Sequence, residues 1–416
     1  MHDVIVIGAG AAGLLAAARA AEQGRKTLLL EKNRKPAVKI LMSGGTRCNI
    51  TQSTDINGIV SAYGASGKFL HSALASLDPQ AVVDLFHAEG VQTKVESTGK
   101  VFPVSDKALD VQQALLRRLA RSGAEMLVET PITSIDRADD RFVVVGPRQT
   151  WIGQTLILTT GGQSYPGCGT TGDGYGWAAA LGHTIMRPRP ALVPITSAAE
   201  WVRGLSGVTL PDVIVRVLEP GQRKPLAQQQ GSLLFTHFGL SGPAILNVSR
   251  VVSGHAQPAS LILECDLLPH HPETWLLEDL QRASQTRGNQ LVLTHWTEHL
   301  PRRVAEAIFG IANLSRDRKC AELSRAERSR LASTTKKLAV AITGTLGFEK
   351  AEVTAGGIAL NEVDSRTMQS KLVPNLYFAG EILDLDGPIG GYNFQAAFST
   401  GWLAGTSVAN NTNHKN

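Results

Sequence analysis

Short apolar runs separated by a glycine-containing turn dominate the first 31 residues of this 416-residue chain. Residues 3–7 read Asp-Val-Ile-Val-Ile, and a β-branched run of this kind is typical of a buried parallel strand. The alanine-rich stretch 14–23 predicts a helix that ends at Gly24, because glycine readily adopts the left-handed conformation that closes a helix. A second apolar run, residues 27–30, ends at Glu31 and completes a predicted βαβ unit.

Further along the chain, the same patterns alternate and then change in character. They predict amphipathic helices over 79–90 and 108–123, strands over 125–135, 141–145 and 155–160, and a helix over 173–181. Residues 39–49 are glycine-rich and polar, which predicts a loop. Near Pro188, prolines begin to punctuate short β-like runs, and a charged, amphipathic helical region follows them.

We therefore expect an α/β fold in which one domain is interrupted by insertions. The expected parts are a Rossmann-like domain formed by residues 1–188 and 352–416, an inserted β-barrel-like domain over 189–271 and about 339–351, and a small helical domain over 272–338. The returning segment carries a predicted strand at 376–379 and a predicted helix at 394–408.

Composition excludes several classes of protein. Hydrophobic residues make up 43% of the chain and charged residues 19%, which is typical of a globular protein. The net charge of +5 is mild for this length and no basic block stands out, so nucleic acid is not an expected partner. Four scattered cysteines, no basic leader and no apolar run of about 20 residues favour a cytoplasmic protein without a membrane span.

Glycines at positions 8, 10 and 13 form a GxGxxG motif between the first predicted strand and helix. In such a motif Gly8 makes the tight turn, Gly10 lets a pyrophosphate approach the backbone, and Gly13 lets helix and strand pack closely. The helix N-terminus offers free N–H groups to the phosphates, and Glu31 would accept hydrogen bonds from ribose hydroxyls. An acidic residue there favours FAD or NAD over NADP.

A second literal match, Gly167, Gly169 and Gly172, lies six residues or more beyond its predicted strand. No Asp or Glu follows it at the usual spacing of about 20 residues. We interpret this stretch as a flexible loop near the cofactor, so a separate NAD(P)H domain is not supported.

Several further motifs occur in a fixed order and together resemble a known family. The motifs are Gly8–Gly13, Ser43–Asn49, Gly99–Lys107, Thr160–Pro166, Thr170–Tyr175, Phe235–Pro243, Glu352–Gly357, Tyr377–Glu381 and Asp386–Asn393. With them the chain resembles the bacterial FAD-dependent flavoproteins of the 3-dehydro-bile-acid Δ4,6-reductase type, also described as YhiN-type or aminoacetone oxidase-like. This resemblance implies an FAD-binding fold with a β-barrel and a helical insertion. Thr46, Thr159 and Phe394 depart from the family's usual pattern, which puts the substrate's shape in doubt and leaves FAD binding unaffected.

The resemblance also implies contacts for FAD. The segment 43–49 would wrap the flavin and ribityl chain, with Arg47 offering positive charge, and the helix start at 390–393 would face flavin N1 and O2. Cys48 is either a redox thiol or a small packed residue. The expected cofactor-binding residues are Gly8, Gly10, Ala11, Ala12, Gly13, Glu31, Lys32, Lys39, Ser43, Gly44, Arg47, Cys48, Asn49, Ile132, Thr160, Gly161, Gly162, Gly380, Glu381, Asp386, Gly391, Tyr392 and Asn393.

Candidates for proton transfer and metal binding are weaker. His237, Arg47 and Tyr392 are candidate catalytic residues, and a structural role for His237 fits its surroundings equally well. His295, Glu298 and His299 match the HxxEH pattern of inverted zinc proteases. Because a proline follows at once, a solvated helix face is the favoured interpretation, and no metal is expected.

For the activity, the resemblance implies an FAD-dependent oxidoreductase. Hydride from transiently docked NAD(P)H would enter flavin N5 and leave to a small or polycyclic acceptor such as an activated C=C bond. The alternatives are an amine-type oxidase that uses O2, a flavin-dependent RNA-modifying protein, which the isoelectric point of about 9.0 encourages, and a non-catalytic FAD sensor. A small-molecule substrate is the expected partner, and the oligomeric state is left open.

Overall fold

The computed structural model describes residues 1–410, and the side chains of residues 1–408. The chain forms two compact units. The first unit contains Met1–Pro190 and the chain from Ala351 onward, and the second unit is Ala191–Lys350. The sequence analysis expected this change of domain at residue 188 and the return at residue 352.

The strands and helices of the described residues are numbered along the chain. The strands are β1 (His2–Ile7), β2 (Thr27–Leu30), β3 (Thr51–Gln52), β4 (Thr93–Val95), β5 (Lys100–Pro103), β6 (Glu125–Leu127), β7 (Ser134–Ala138), β8 (Arg141–Val145), β9 (Thr150–Leu158), β10 (Ile185–Ala191), β11 (Ile195–Thr196), β12 (Thr209–Leu218), β13 (Ala227–Thr236), β14 (Gly239–Ser241), β15 (Ile262–Asp266), β16 (Leu338–Ala341), β17 (Gly344–Thr345), β18 (Val353–Ile358) and β19 (Leu376–Phe378). The α-helices are α1 (Ala11–Glu22), α2 (Val38–Met42), α3 (Ile56–Ala62), α4 (His71–Ser76), α5 (Pro79–Ala88), α6 (Ala108–Ser122), α7 (Asp173–Ala180), α8 (Glu200–Gly204), α9 (Pro243–Gly254), α10 (Glu273–Thr286), α11 (Val292–Trp296), α12 (Arg302–Ile311), α13 (Arg325–Lys336) and α14 (Tyr392–Asn410).

A mainly parallel sheet forms the centre of the first unit. Its strand order is β6-β2-β1-β9-β8-β7, and β19 pairs in parallel with the carboxyl end of β9. The central strands β1, β2 and β9 pair in parallel, and their apolar residues are almost completely buried, apart from the exposed Ile152 near the start of β9. Burial on both faces is what a continuous apolar run predicts. Because these strands and β19 are parallel, the carboxyl ends of β1, β2, β9 and β19 lie along one edge of the sheet.

Helices α1 and α14 pack closely on each other, and glycines make this possible. A Cβ atom at Gly401 would lie 2.3 Å from the Ala12 carbonyl oxygen, and one at Gly405 would lie 2.5 Å from the Ala16 carbonyl oxygen. Only glycine fits such a close approach of two backbones. The contact therefore fixes α14 against α1.

Two predicted elements differ from the structure. The single strand expected over 125–135 is wrong: β6 ends at Leu127 and β7 begins at Ser134. Glu129 has a left-handed backbone, and Pro131 lacks an N–H group to donate in a ladder. The loop expected over 39–49 contains most of the short helix α2.

The second unit joins a sheet to a group of helices. Its strand order is β16-β15-β12-β13-β14-β11-β17, all antiparallel, and α9 packs on β12 and β13. In the pairs found among the described residues, β16 and β17 are the two edges, so this sheet is open where a barrel-like closure was expected. Helices α10–α13 share its apolar core, with Trp296 and Phe309 fully buried.

Within residues 1–410, we find no helix that is both long enough and apolar enough to cross a membrane.

Candidate functional site

The turn between β1 and α1 has the geometry of a phosphate-binding loop. A Cβ atom at Gly8 would lie 2.7 Å from the Thr159 carbonyl oxygen, and one at Gly13 would lie 1.9 Å from the Gly8 carbonyl oxygen. These two glycines therefore allow the strand, the turn and the helix to pack together. A Cβ at Gly10 would meet no protein atom within 4 Å, and no side chain caps the helix there. The open N-terminus of α1 is thus available to an anionic group.

Glu31 is buried at the carboxyl end of β2, beside this turn. Its Oε2 accepts a hydrogen bond from the Ala9 N–H at 2.7 Å, and its Oε1 accepts one from the Asn33 N–H at 2.8 Å. A carboxylate has about four acceptor positions, so two remain for ribose hydroxyls. The loop of the second GxGxxG match lies against the same segment, because Asn33 donates to the Cys168 carbonyl oxygen.

A polar network joins the loop after β2 to the carboxyl end of β19. Lys39 Nζ lies 2.6 Å from Glu381 Oε2 and donates to Ser164 Oγ at 2.6 Å. Glu381 Oε1 accepts from the Ser164 hydroxyl and from the Thr354 N–H. Sequence analysis predicted Lys39 and Glu381 separately as cofactor ligands, and the structure joins them to each other. Ser164 and Thr354 were not predicted as site residues, although both lie within the motifs Thr160–Pro166 and Glu352–Gly357.

Three buried polar atoms of the first unit have no hydrogen-bond partner within the protein. They are Asn49 Oδ1, Thr160 Oγ1 and Tyr175 Oη. Burial raises the pKa of Tyr175 well above its usual range, and the charges of Glu381 and Asp384 act in the same direction. Buried polar groups in proteins are almost always paired. Unpaired atoms on residues that the FAD motifs include therefore fit a bound polar group.

The loop before α14 is held in one shape by Asn393. Its Oδ1 accepts from the Gly387 N–H at 2.8 Å, and its Nδ2 donates to the Gly387 carbonyl oxygen at 3.0 Å. Tyr63 Oη donates to the Tyr392 carbonyl oxygen, and its pKa is raised by burial and then by Asp386 and other acids. Gly391 has a left-handed backbone, and a Cβ there would lie 2.4 Å from the Thr51 carbonyl oxygen. Only glycine fits at this helix start.

Two predicted residues have surroundings that change their roles. Arg47 Nη1 donates to Glu96 Oε1 at 2.7 Å and lies 3.5 Å from Asp106 Oδ1, so its positive charge is shared with two carboxylates. The Cys48 thiol is fully buried, and burial raises its pKa to about 12 despite an opposing hydrogen bond with Ser43. A thiol in this state is a packed residue, since the thiolate is the reactive form.

Other residues predicted to bind the cofactor, transfer a proton or bind a metal lie in different parts of the two units. Lys32 is bound to Asp173 at the start of α7, at 2.5 Å. Ile132 lies between β6 and β7, packed against the core. His237 belongs to the second unit, in the exposed turn between β13 and β14. The HxxEH segment differs from its favoured interpretation, because His295 is only 4% exposed and is therefore no part of a solvated face.

The residues present fit an FAD molecule. An uncapped helix N-terminus, a buried carboxylate at the end of the next strand and unpaired buried polar atoms occur together in the first unit. This combination is what the dinucleotide-binding crevice of a doubly wound sheet requires.

Comparisons with known proteins agree with this geometry. The chain is 35% identical over 404 residues to the ribosomal RNA dihydrouridine synthase of Escherichia coli, with 96% of each chain covered. It is 28% identical over 417 residues to the 3-dehydro-bile acid Δ(4,6)-reductase of Clostridium scindens, covering 98% of this chain and 99% of that one. Its fold is similar to that of 3-ketosteroid Δ1-dehydrogenase from Sterolibacterium denitrificans, with a TM-score of 0.52, 14% identity and 99% of each chain covered.

The sequence profile of the HI0933-like protein Rossmann domain matches residues 2–407, almost the whole chain. The resemblance inferred from the motifs and the predicted Rossmann-type α/β fold are therefore confirmed. The chain belongs to the HI0933-like family, and with it to the FAD-dependent flavoprotein oxidoreductases.

Proposed function

We propose that this protein is an FAD-dependent reductase that takes hydride from NAD(P)H and reduces the C5=C6 bond of uracil bases in RNA. The pyrimidine bond is conjugated to a carbonyl group and is thus an activated C=C bond. In the balanced reaction NAD(P)H becomes NAD(P)+, and the C=C bond gains the hydride and one proton. The observation that carries the proposal is the full-length similarity to a protein named for dihydrouridine synthesis in ribosomal RNA.

The residues of the first unit supply the cofactor site. The N-terminus of α1 at Gly10 would hold the pyrophosphate, Glu31 the adenosine ribose, and Asn49 and Thr160 the polar groups of the flavin or ribityl chain. When bound, FAD supplies the two-electron transfer between nicotinamide and acceptor. The start of α14, opened by Gly390 and Gly391, offers partial positive charge to the flavin's pyrimidine side.

Reduction of a C=C bond also needs a proton donor, and Tyr392 is the candidate in the first unit. Burial raises the pKa of its phenol, so the hydroxyl group stays protonated at neutral pH. The side chain is partly exposed, at the first position of α14. We assign it the role of holding the proton for the acceptor carbon. Replacement by Phe would remove this proton and lower turnover.

An RNA substrate is also supported by the charge of the second unit. Residues 302–337 contain 10 Lys and Arg against 4 Asp and Glu. Sequence analysis expected no nucleic acid because these residues form no continuous run. In the structure they lie on α12 and α13, in the segment between these helices, and at Lys337 directly after α13. On a helix, residues that are not contiguous in sequence can share one face.

The solvent face of α13 is free of acidic groups. Arg325, Arg330 and the adjoining Lys337 are exposed, together with Ser329. Glu327, the helix's one acidic residue, is turned to the helix start, where it accepts from the Ser324 N–H and pairs with Arg318. Basic side chains beside hydroxyl groups are what contacts to a phosphate backbone require. We propose this face as an RNA contact.

The experiment is to incubate the FAD-loaded protein with NADPH or NADH and ribosomal RNA, then measure nucleoside masses. The proposal expects uridines heavier by two hydrogen atoms, absent when the nicotinamide is omitted. Reduction of a steroid-like enone with unchanged RNA would contradict the RNA assignment.

The matched variant is Arg330→Ala combined with Lys337→Ala, with exposed Arg366→Ala of the first unit as the control. If two phosphate contacts are lost, the slope of log affinity against log salt should become less negative by about 1.4–1.8. Unchanged RNA affinity and salt slope in the double variant would contradict the proposed contact face.

A further inference from the structure

Outside the nucleotide site, three metal-binding side chains meet in the helices of the second unit. They are Asp279 on α10, His295 on α11 and His299 in the turn that follows. His295 Nε2 lies 2.6 Å from Asp279 Oδ2, and His299 Nε2 lies 3.3 Å from the same oxygen. All three ligand atoms lie within 4.8 Å of one another. We propose that these residues bind one Zn²⁺ ion.

Hydrogen bonds within the protein leave one polar atom of this cluster without a partner. A neutral imidazole carries one N–H group, so a bond from His295 Nε2 to Asp279 leaves Nδ1 as an acceptor. That Nδ1 is buried and has no hydrogen-bond partner. The Oε2 atom of Glu298 lies 3.9 Å from it, beyond hydrogen-bond distance, and a carboxylate oxygen can only accept.

Metal binding would give His295 Nδ1 a proton, so that it no longer faces the Glu298 carboxylate as a second acceptor. With Zn²⁺ on Nε2, the proton of His295 moves to Nδ1, where it faces the Glu298 carboxylate. A metal-bound histidine usually donates its other N–H to a carboxylate in this way. Glu298 is itself held at 2.7 Å by Arg287. The HxxEH pattern thus places two ligands and their supporting carboxylate, and α10 contributes the third ligand from earlier in the chain.

Two of the three separations between ligand atoms can be compared with those of a zinc site. Bonds of about 2.0–2.1 Å in a tetrahedral site place ligand atoms about 3.3 Å apart. The separation between Asp279 and His299 already has this value, and that between Asp279 and His295 must lengthen by roughly 0.7 Å. Two imidazoles and one carboxylate leave a fourth position for water. The ion would join α10 to the turn after α11 and so stabilise the helices of the second unit.

The test uses the full-length, FAD-loaded protein after removal of metals with a chelator. Zn²⁺ is added against a chromophoric chelator to give stoichiometry and affinity, and thermal unfolding is followed with and without the ion. We expect one saturable site per chain and a higher melting temperature with Zn²⁺. Because the rings of Trp275 and Trp296 lie 5.4 and 5.7 Å from His299, their fluorescence should change at the same stoichiometry.

Matched variants separate a metal site from a hydrogen-bonded cluster. His299→Gln, which removes a partly exposed ligand, should abolish the saturable site, whereas Glu298→Gln should weaken binding about 10–100-fold. His270→Gln is the control, since His270 is an exposed histidine of the same unit. Absence of a saturable site in the wild type, or equal Zn²⁺ binding by His299→Gln, would overturn the proposal. Neither result bears on the proposed reductase activity, which involves other residues.

Discussion

Gly10→Ala is the substitution that most cleanly separates cofactor binding from folding. The backbone of Gly10 has φ −81° and ψ −170°, a conformation that alanine adopts without strain. An added Cβ would meet no protein atom within 4 Å. It would project into the space at the start of α1, where we place the FAD pyrophosphate. We therefore expect the apoprotein to fold normally and to bind FAD weakly.

The magnitudes follow from these contacts. Losing one hydrogen bond to a charged phosphate costs about 1.5–3 kcal/mol, which is about a tenfold to hundredfold increase in the Kd for FAD. Replacing glycine by alanine in a compatible conformation restricts the unfolded chain and raises the free energy of unfolding by about 0.4–1 kcal/mol. The variant should thus be slightly more stable than the wild type without FAD.

Two companion substitutions make the measurement interpretable. In Gly13→Ala the new Cβ would lie 1.9 Å from the Gly8 carbonyl oxygen, so the apoprotein itself should lose about 1–3 kcal/mol of stability. In Gly310→Ala, in the second unit, the Cβ meets open space and FAD binding should not change. Affinity is measured by FAD titration of the apoprotein, and stability by denaturant unfolding. Wild-type FAD affinity in Gly10→Ala would refute the placement of the pyrophosphate.

Four further outcomes are expected. Lys39→Met removes the cation beside Glu381 and should lower the free energy of unfolding of the apoprotein by about 1–3 kcal/mol in denaturant titrations. The Cys48 thiol, with a pKa of about 12, should resist alkylation in the native protein at pH 8; because an unfolded thiol ionises near its ordinary pKa of 9.0, its contribution to stability should disappear as pH rises from 9 towards 12. Ser324→Ala removes the cap of α13 and should cost about 0.5–2 kcal/mol. Glu327, whose pKa the Ser324 hydrogen bonds help lower to about 2, stabilises the fold above its ordinary value of 4.5, and this contribution should fade in acid unfolding curves as pH falls from 4.5 towards 2.

Local patterns were sufficient to predict the first βαβ unit. The strand, turn and helix of residues 2–22 are close in sequence, and the spacing of Gly8, Gly10 and Gly13 identifies the turn between them. The glycines before α14 mark the start of that helix in the same way. The hydrophobic patterns of such strands and helices are set by residues nearby in the sequence, which is the range over which they are informative.

Contacts between distant segments could not be predicted in this way. Lys39 and Glu381 are 342 positions apart and meet because β19 pairs beside β9. The HxxEH segment lacked its third partner, Asp279, which lies 16 positions before His295 on another helix. The basic face of α13 was hidden because its charges are separated by small polar and buried residues. In each case the tertiary fold decides which residues meet.

The most direct test of the proposed reductase is an anaerobic spectrum of the FAD-loaded protein, first with NADPH or NADH and then with RNA. We predict that nicotinamide bleaches the flavin absorbance, and that uridine-containing RNA restores it. RNA in which the uridines are already 5,6-dihydrouridine should restore nothing. A flavin that nicotinamide reduces but that only O2 reoxidises, with uridine-containing RNA inert, would contradict the proposal.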